Sequence, residues 1–284
     1  MLQKRISIAI PASVVSDTPH LREKTSKIGL IGRAAAIFRV NQIIIYPDDA
    51  KARQASEPRL IGTLLAYMET PQYLRKKLFK LEPALRYAGI LPPLRTLHHP
   101  LNRKAKDLKI GEFREGVTLS KTAEGTLLDI GVERPALMRN AQLPNGKRIT
   151  VTVAKVNGQV EVKLANREDI QEYWGYTVDV EDWTLGKILN GGDFELTIAT
   201  SKYGVPFTDA AMEMTERWEK ARTIIIAFGA PAKGLYEIAR SEGLNLDDLA
   251  HFVVNTIPKQ GTETVRTEEA IVATLAVFNT QFRF

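Results

Sequence analysis

The 284-residue chain has no cysteine, which excludes a disulfide, a thiol nucleophile and a thiolate zinc site. Histidine is scarce as well. The four present, His20, His98, His99 and His251, stand in none of the i, i+4 or Cys/His spacings that build a zinc or two-metal centre, so no metal is expected. Long apolar runs are also missing: the longest, Ile224 to Phe228, falls far below the roughly 20 residues of a membrane span. The opening Met1-Leu-Gln-Lys-Arg5-Ile-Ser-Ile superficially resembles a secretory leader, but Pro11 and Asp17 cut it short. A cytoplasmic protein is the expectation. No internal repeat and no low-complexity segment is found.

What is present is the composition of a globular chain, 44% hydrophobic and 25% charged, long enough for one large domain or two modest ones. A formal net charge of +6 favours a polyanionic partner. The cations are concentrated. Between Arg75 and Lys109 stand Arg75, Lys76, Lys77, Lys80, Arg86, Arg95, Arg103, Lys104, Lys106 and Lys109, opposed only by Glu82 and Asp107. His98, His99 and Tyr87 are interleaved with them, which points from a plain solvated face toward a nucleic-acid surface.

The first ninety residues read as α/β. Arg5 to Ile10 is a short strand closed by Pro11, and Thr18-Pro19 offers a helix start for a pattern that runs to about Arg39. Gln42 to Tyr46 is a continuous apolar run, the pattern of a strand buried on both faces, and a helix is expected from about Asp49 through Met68. Composition shifts at Leu91-Pro92-Pro93 and again near Asn166-Arg167-Glu168. Between them lie the alternating segments Gly116–Ser120, Gly125–Ile130, Arg148–Ala154 and Gln159–Leu164, with turn signals at Pro144-Asn145-Gly146 and Asn157-Gly158. Four or five strands in this span suggest a small β-barrel of OB-like size. From Gly175 the α/β pattern returns, with strands at Tyr176–Val180, Phe194–Ala199, Arg222–Phe228 and His251–Asn255 and helices at Asp209–Lys220, Lys233–Arg240 and Arg266–Asn279. The organisation expected is one α/β domain, residues 1–91 and 168–284, split by a β-barrel insertion of residues 92–167.

Gly229-Ala-Pro-Ala-Lys-Gly234-Leu235-Tyr236 follows a buried strand and opens a helix, where α/β sheets place anionic ligands or cofactors. It is neither a P-loop, because Leu235 and Tyr236 stand where lysine and a hydroxyl belong, nor G-x-G-x-x-G. A second strand, glycine-containing loop and helix follow at Asn255-Thr-Ile-Pro258-Lys-Gln260-Gly261-Thr-Glu-Thr-Val-Arg266.

These paired loops, with Lys27-Ile-Gly29-Leu-Ile-Gly-Arg33 in the first helix, resemble the SPOUT superfamily of trefoil-knotted RNA methyltransferases. Gly29 and Arg33 match the family's first motif, with Lys27 where asparagine is usual. Phe228-Gly229 to Gly234 matches the second motif, and Ile257-Pro258 to Ala270 the third. Thr264-Val265-Arg266 departs from the Ser-Leu-Asn of the ribose-methylating branch, which argues against 2′-oxygen as the acceptor. With its insertion, nearly the whole chain is similar to the archaeal and eukaryotic SPOUT subfamily that carries an OB-like insert.

The resemblance implies an α/β-knot fold with a deep C-terminal trefoil knot, S-adenosyl-L-methionine as cofactor, a homodimer, and ribosomal or transfer RNA as substrate. It assigns the cofactor to Phe228, Gly229, Pro231, Gly234, Leu235, Asn255, Ile257, Pro258, Gln260, Gly261, Thr262, Thr264 and Val265. Gly229, Gly234 and Gly261 would let backbone approach the adenosine closely. Arg33 is expected to reach an RNA phosphate or the reacting base, in its own or the partner subunit's site, or else to form a structural ion pair. Arg266 stands at a helix start, where the dipole disfavours a cation, which suggests use. Glu263 and Glu268 are the candidate bases for a ring nitrogen that carries a proton. RNA is assigned to Arg75, Lys76, Lys77, Arg103, Lys104 and Lys106. Two other readings stay open: a non-catalytic RNA-binding or ribosome-assembly factor with the same fold, and a protein methyltransferase.

Overall fold

The computed structural model describes residues 4–49 and 56–282. It begins with β1 (Arg5–Pro11), α1 (Leu21–Ile37), β2 (Gln42–Tyr46), α2 (Glu57–Glu69) and α3 (Gln72–Leu78). Five short strands follow: β3 (Phe113–Thr122), β4 (Gly125–Asp129), β5 (Ala136–Arg139), β6 (Arg148–Lys155) and β7 (Glu161–Leu164). The chain then forms β8 (Thr177–Val180), α4 (Leu185–Gly191), β9 (Leu196–Pro206), α5 (Phe207–Lys220) and β10 (Thr223–Ala227). It finishes with α6 (Leu235–Ser241), α7 (Leu246–Leu249), β11 (Phe252–Asn255) and α8 (Thr267–Gln281). Two compact units result: one takes Met1–Met68, Pro83–Pro93 and Tyr176–Phe284, the other Glu69–Glu82 and Leu94–Gly175.

The first unit is built on a six-stranded sheet in the order β11-β9-β10-β1-β2-β8, every pairing parallel. Continuous apolar runs such as Ile224-Ile225-Ile226 and Ile43-Ile44-Ile45 suit strands covered on both faces, and these side chains are buried. Leu185, Ile188, Leu235, Ile238, Leu246 and Leu249 of α4, α6 and α7 pack with Ala9, Ile44, Ala199 and Ile225 of the sheet. Helix α8 packs along α1. Phe278 and Phe282 at its end gather Phe207 and Trp218 of α5, the Trp218 and Phe282 rings stacking at 4.4 Å. The first helix begins at Leu21, after the expected Thr18-Pro19 start. Val15 and Thr18 close a turn instead, and the Asp17 carboxylate is bound by Lys27, which keeps the helix from extending back. Of the helix expected from Asp49, residues 50–55 lie outside the described residues, and the helix described is Glu57–Glu69.

The second unit is a closed barrel in the order β3-β4-β5-β7-β6. Its pairings are antiparallel except for β5 with β7. Val151, Val153, Leu128, Ile130, Met138 and Val162 point inward as the alternation requires. The Asn157-Gly158 turn closes the β6–β7 hairpin with Gly158 at φ +69°, a left-handed conformation that favours glycine.

Candidate functional site

Adjacent strands deliver their carboxyl ends to one place. Because β11, β9 and β10 are neighbours in the sheet, the chain leaving each of them borders one cleft of about 720 Å³. Phe228 to Gly234 line it after β10, and Asn255, Thr256, Ile257, Gln260, Thr264 and Val265 after β11. Thr200, Ser201, Lys202 and Tyr203 line it from β9, and sequence reasoning missed them. A signal was there: Thr-Ser-Lys-Tyr-Gly after the apolar Leu196–Ala199 repeats the strand-then-polar-glycine-loop pattern of the other two.

The first loop is held by hydroxyls from three different elements. Thr200 Oγ1 donates to the carbonyl of Ala227 at 3.0 Å, the buried Tyr46 hydroxyl to that of Phe228 at 2.8 Å, and Thr267 Oγ1 to that of Gly229 at 2.9 Å. Burial, followed by the Asp48 and Glu242 charges, raises the Tyr46 phenol well above its ordinary value, so it stays a donor. The Tyr236 phenol, on the cleft wall, is pushed up to about 12 by burial and by its 2.8 Å hydrogen bond to Asp247.

Of the residues assigned to the cofactor, Phe228, Gly229, Pro231, Gly234, Leu235, Asn255, Ile257, Gln260, Thr264 and Val265 line this cleft; Pro258, Gly261 and Thr262 do not. Several polar ones are turned onto the loops themselves. Asn255 accepts from the Ile257 N–H and donates to the Lys202 carbonyl, while Gln260 Nε2 donates to the carbonyls of Thr262 and Glu263. The glycines differ in kind. A Cβ on Gly229 would meet the backbone of Lys233, Gly234 and Leu235 at 3.2 Å, so protein packing explains it. Gly234 has an ordinary φ of −72°, and a Cβ there, as on Gly261, would meet nothing within 4 Å.

The residues assigned to catalysis are not brought together in this cleft. Arg33, half-buried on α1, donates to the Pro93 carbonyl at 3.0 Å, and it does not line the cleft. Arg266 is exposed at the N-cap of α8, where its N–H is taken by Glu269. Glu263 is exposed on the loop. Glu268 is 6% exposed and faces Lys27, whose Nζ lies 3.3 Å from its Oε2 and 2.8 Å from Asp17. Burial works to raise the Asp17 carboxyl, but the hydrogen bond and charge of Lys27 outweigh it and hold Asp17 below its usual value. Lys27 thus ties α1 to the first turn of α8 beside Thr267.

In the barrel unit, Lys76, Arg103, Lys104 and Lys106 are exposed. Lys77 pairs with Asp129, and Arg75 is half-buried with Nε on the Thr70 carbonyl. Both basic stretches attach to the β4–β5 connection. Alongside Lys77 and Asp129, Glu133 accepts from the Ala105 N–H and donates its own N–H to the Arg103 carbonyl. The two histidines read as part of a nucleic-acid surface are taken inward: His98 is fully buried, and both rings reach the Glu69 carbonyl, at 2.9 and 2.7 Å. Burial alone would raise the Glu69 carboxyl; His98 and Arg148, on either side of it, hold it down at about 2. Burial and the neighbouring His98 push His99 down to about 4.

No described helix is long and apolar enough to cross a membrane, and among the described residues no group of His, Asp and Glu could hold a metal ion. The family model described as "Putative RNA methyltransferase" matches residues 5–278. An uncharacterised protein of Halobacterium salinarum is 33% identical, covering 95% of this chain and 96% of its own length. The 28S rRNA (uridine-N(3))-methyltransferase of Drosophila melanogaster is 32% identical over 95% of this chain and 61% of its own. The Homo sapiens protein of that name is 30% identical over 95% and 77%. A match that runs from the first strand into the last helix takes in the cleft, its three loops and the barrel, and the chain belongs to this family of RNA methyltransferases, enzymes that move a methyl group from a donor onto RNA.

Proposed function

We propose that the chain transfers a methyl group from S-adenosyl-L-methionine to a base nitrogen of structured RNA, ribosomal RNA before transfer RNA, with the cleft as the donor site. The observation that carries this is Gly234. Its φ is ordinary and its packing would admit a side chain, so beyond the N-cap preference of α6 it is a ligand lying against the loop that asks for glycine. A volume of about 720 Å³ suits a nucleoside-sized group. The donor supplies a methyl already activated on a sulfonium, so what remains for the protein is alignment and exclusion of water. Leu235 and Ile257 form apolar walls, and the hydroxyls of Tyr46, Thr200 and Thr267 keep the carbonyls of residues 227–229 in one geometry before anything binds. The relatives named for uridine-N3 methylation and the Thr264-Val265-Arg266 departure support a ring nitrogen over the ribose. Its proton has to leave, and Glu263 is the proposed acceptor, since Glu268 is engaged by Lys27.

The finer family reading, SPOUT with a C-terminal trefoil knot, is supported by α8 returning to pack on α1 while Thr267 reaches Gly229. The barrel's order, with its one parallel pairing between β5 and β7, supports an OB-like module that grips RNA through Lys76, Arg103, Lys104 and Lys106. Arg33 lies outside the cleft of its own chain, which supports a homodimer in which it serves the partner's cleft. Labelled methyl transfer from S-adenosylmethionine to total RNA of a strain lacking the protein, followed by nucleoside mass spectrometry, tests the proposal. A labelled methyluridine is expected. Donor binding without labelled RNA would replace it with an assembly factor or a protein methyltransferase.

A further inference from the structure

Between Val253 and Val254 β11 advances by one residue, while its partner β9 advances from Ala199 to Val205. The chain between, Thr200 to Gly204, stands out of register at the cleft. This bulge is built rather than slack. Gly204 runs so close to β11 that a Cβ would lie 2.7 Å from the Val253 carbonyl; Asn255 donates to the Lys202 carbonyl, and Ser201 Oγ accepts from the Tyr203 N–H at 3.1 Å. What it presents is unusual for a residue outside any core. Tyr203 is 75% exposed, with the Lys202 ammonium 5.1 Å from its ring centre.

Charge says which ligand this suits. Lys202, Lys233 and Arg240 line the cleft with Glu237 as the one carboxylate, and none of the three cations forms an ion pair among the described residues. The donor offers a single carboxylate beside its sulfonium and ammonium, so three cations exceed what it can use. A polyanion can use them all. An exposed aromatic face beside cations is also the arrangement on which a base stacks once it leaves its helix, and a methyl acceptor on the pairing edge of a base must leave its helix to react.

We infer that the Thr200–Gly204 bulge is the acceptor-nucleotide subsite, with Tyr203 stacking on one extruded base and Lys202, Lys233 and Arg240 holding the phosphates that flank it. This deepens the proposed methyl transfer and rests on it. The probes are S-adenosylhomocysteine and a hairpin RNA carrying one 4-thiouridine in its loop, used with the full chain. Irradiation is expected to cross-link the thiouridine to the peptide that contains Tyr203. Tyr203→Ala is expected to weaken RNA binding about tenfold, with S-adenosylhomocysteine affinity changed by less than about twofold and an unaltered melting temperature, and Tyr203→Phe to recover most of the loss. Cross-links confined to barrel peptides, or equal weakening of both probes in Tyr203→Ala, would overturn the assignment. A cross-link at Tyr203 from a protein that labels no RNA would keep the subsite and remove the methyl-transfer reading, so the two fail separately.

Discussion

Gly234 is the residue whose replacement separates packing from ligand binding most cleanly. Alanine there meets no protein atom and needs no unusual φ, and as a poorer N-cap for α6 than glycine it is expected to cost no more than about 1 kcal/mol of stability. The added methyl enters open space on a residue that lines the cleft assigned to the donor, and S-adenosylhomocysteine affinity should fall about tenfold, a cost near 1.4 kcal/mol. Calorimetric titration beside a thermal melt measures both, and unchanged affinity would put the donor elsewhere. Tyr46→Phe is the complementary case, because Tyr46 does not line the cleft. Losing the hydroxyl leaves the buried Phe228 carbonyl unpaired at a cost of about 1–3 kcal/mol, read by denaturant titration, with the donor bound more weakly as the loop loosens. Tyr46 could not be found from sequence. It reads as the last apolar residue of a buried strand, and only the juxtaposition of β2 with the end of β10 turns its phenol into a support.

Among the elements, α1 and α8 are joined by a buried cation. Lys27→Met removes the partner of both Asp17 and Glu268 and is expected to cost about 2–3 kcal/mol, the part-exposed Asp17 keeping it below the range for a fully buried pair. Lys27→Met with Glu268→Leu should recover part of that loss, since the stranded carboxylate is then gone; a double variant no better than the single one would show that Glu268 is not the group that suffers. The central strands β2 and β10 were legible because each is built on a continuous apolar run between turn residues. The seven-residue α4 and four-residue α7 were not, being too short to display a helical period. The cleft was two-thirds legible for a related reason: two of its glycine loops lead into readable helices, whereas the third is a bulge within β9, which runs on to Pro206 past the expected strand end at Ala199. Glu268 and His98 show the other limit. One was read as a candidate base and the other as part of a nucleic-acid surface, and the buried partners the fold gives both of them have no signal in the sequence.

At the scale of the molecule, the two units should answer acid differently. His99 drops from an ordinary 6.5 to about 4, so the unfolded chain binds a proton that the folded barrel unit refuses, and stability is lost as pH falls across that interval. Glu69, held at about 2, adds a second loss as pH falls below its ordinary 4.5. Each shift corresponds to about 3 kcal/mol when complete. Hydrogen exchange corrected for its intrinsic pH dependence is expected to quicken in β3 and β6 between pH 7 and 4.5 while β1 and β10 hold their protection; equal loss in all four would remove the histidine from the account. The register of the large sheet has a consequence for how such a chain is made. Arg5 finds its partner at Thr223, whereas everything the barrel needs has been synthesised by Gly175. On the ribosome the barrel can therefore close while the Ile6–Ile10 strand still waits, apolar and one-sided, for a neighbour not yet translated. Such long-range parallel pairing is slow, and the interval is when the nascent chain most needs a chaperone.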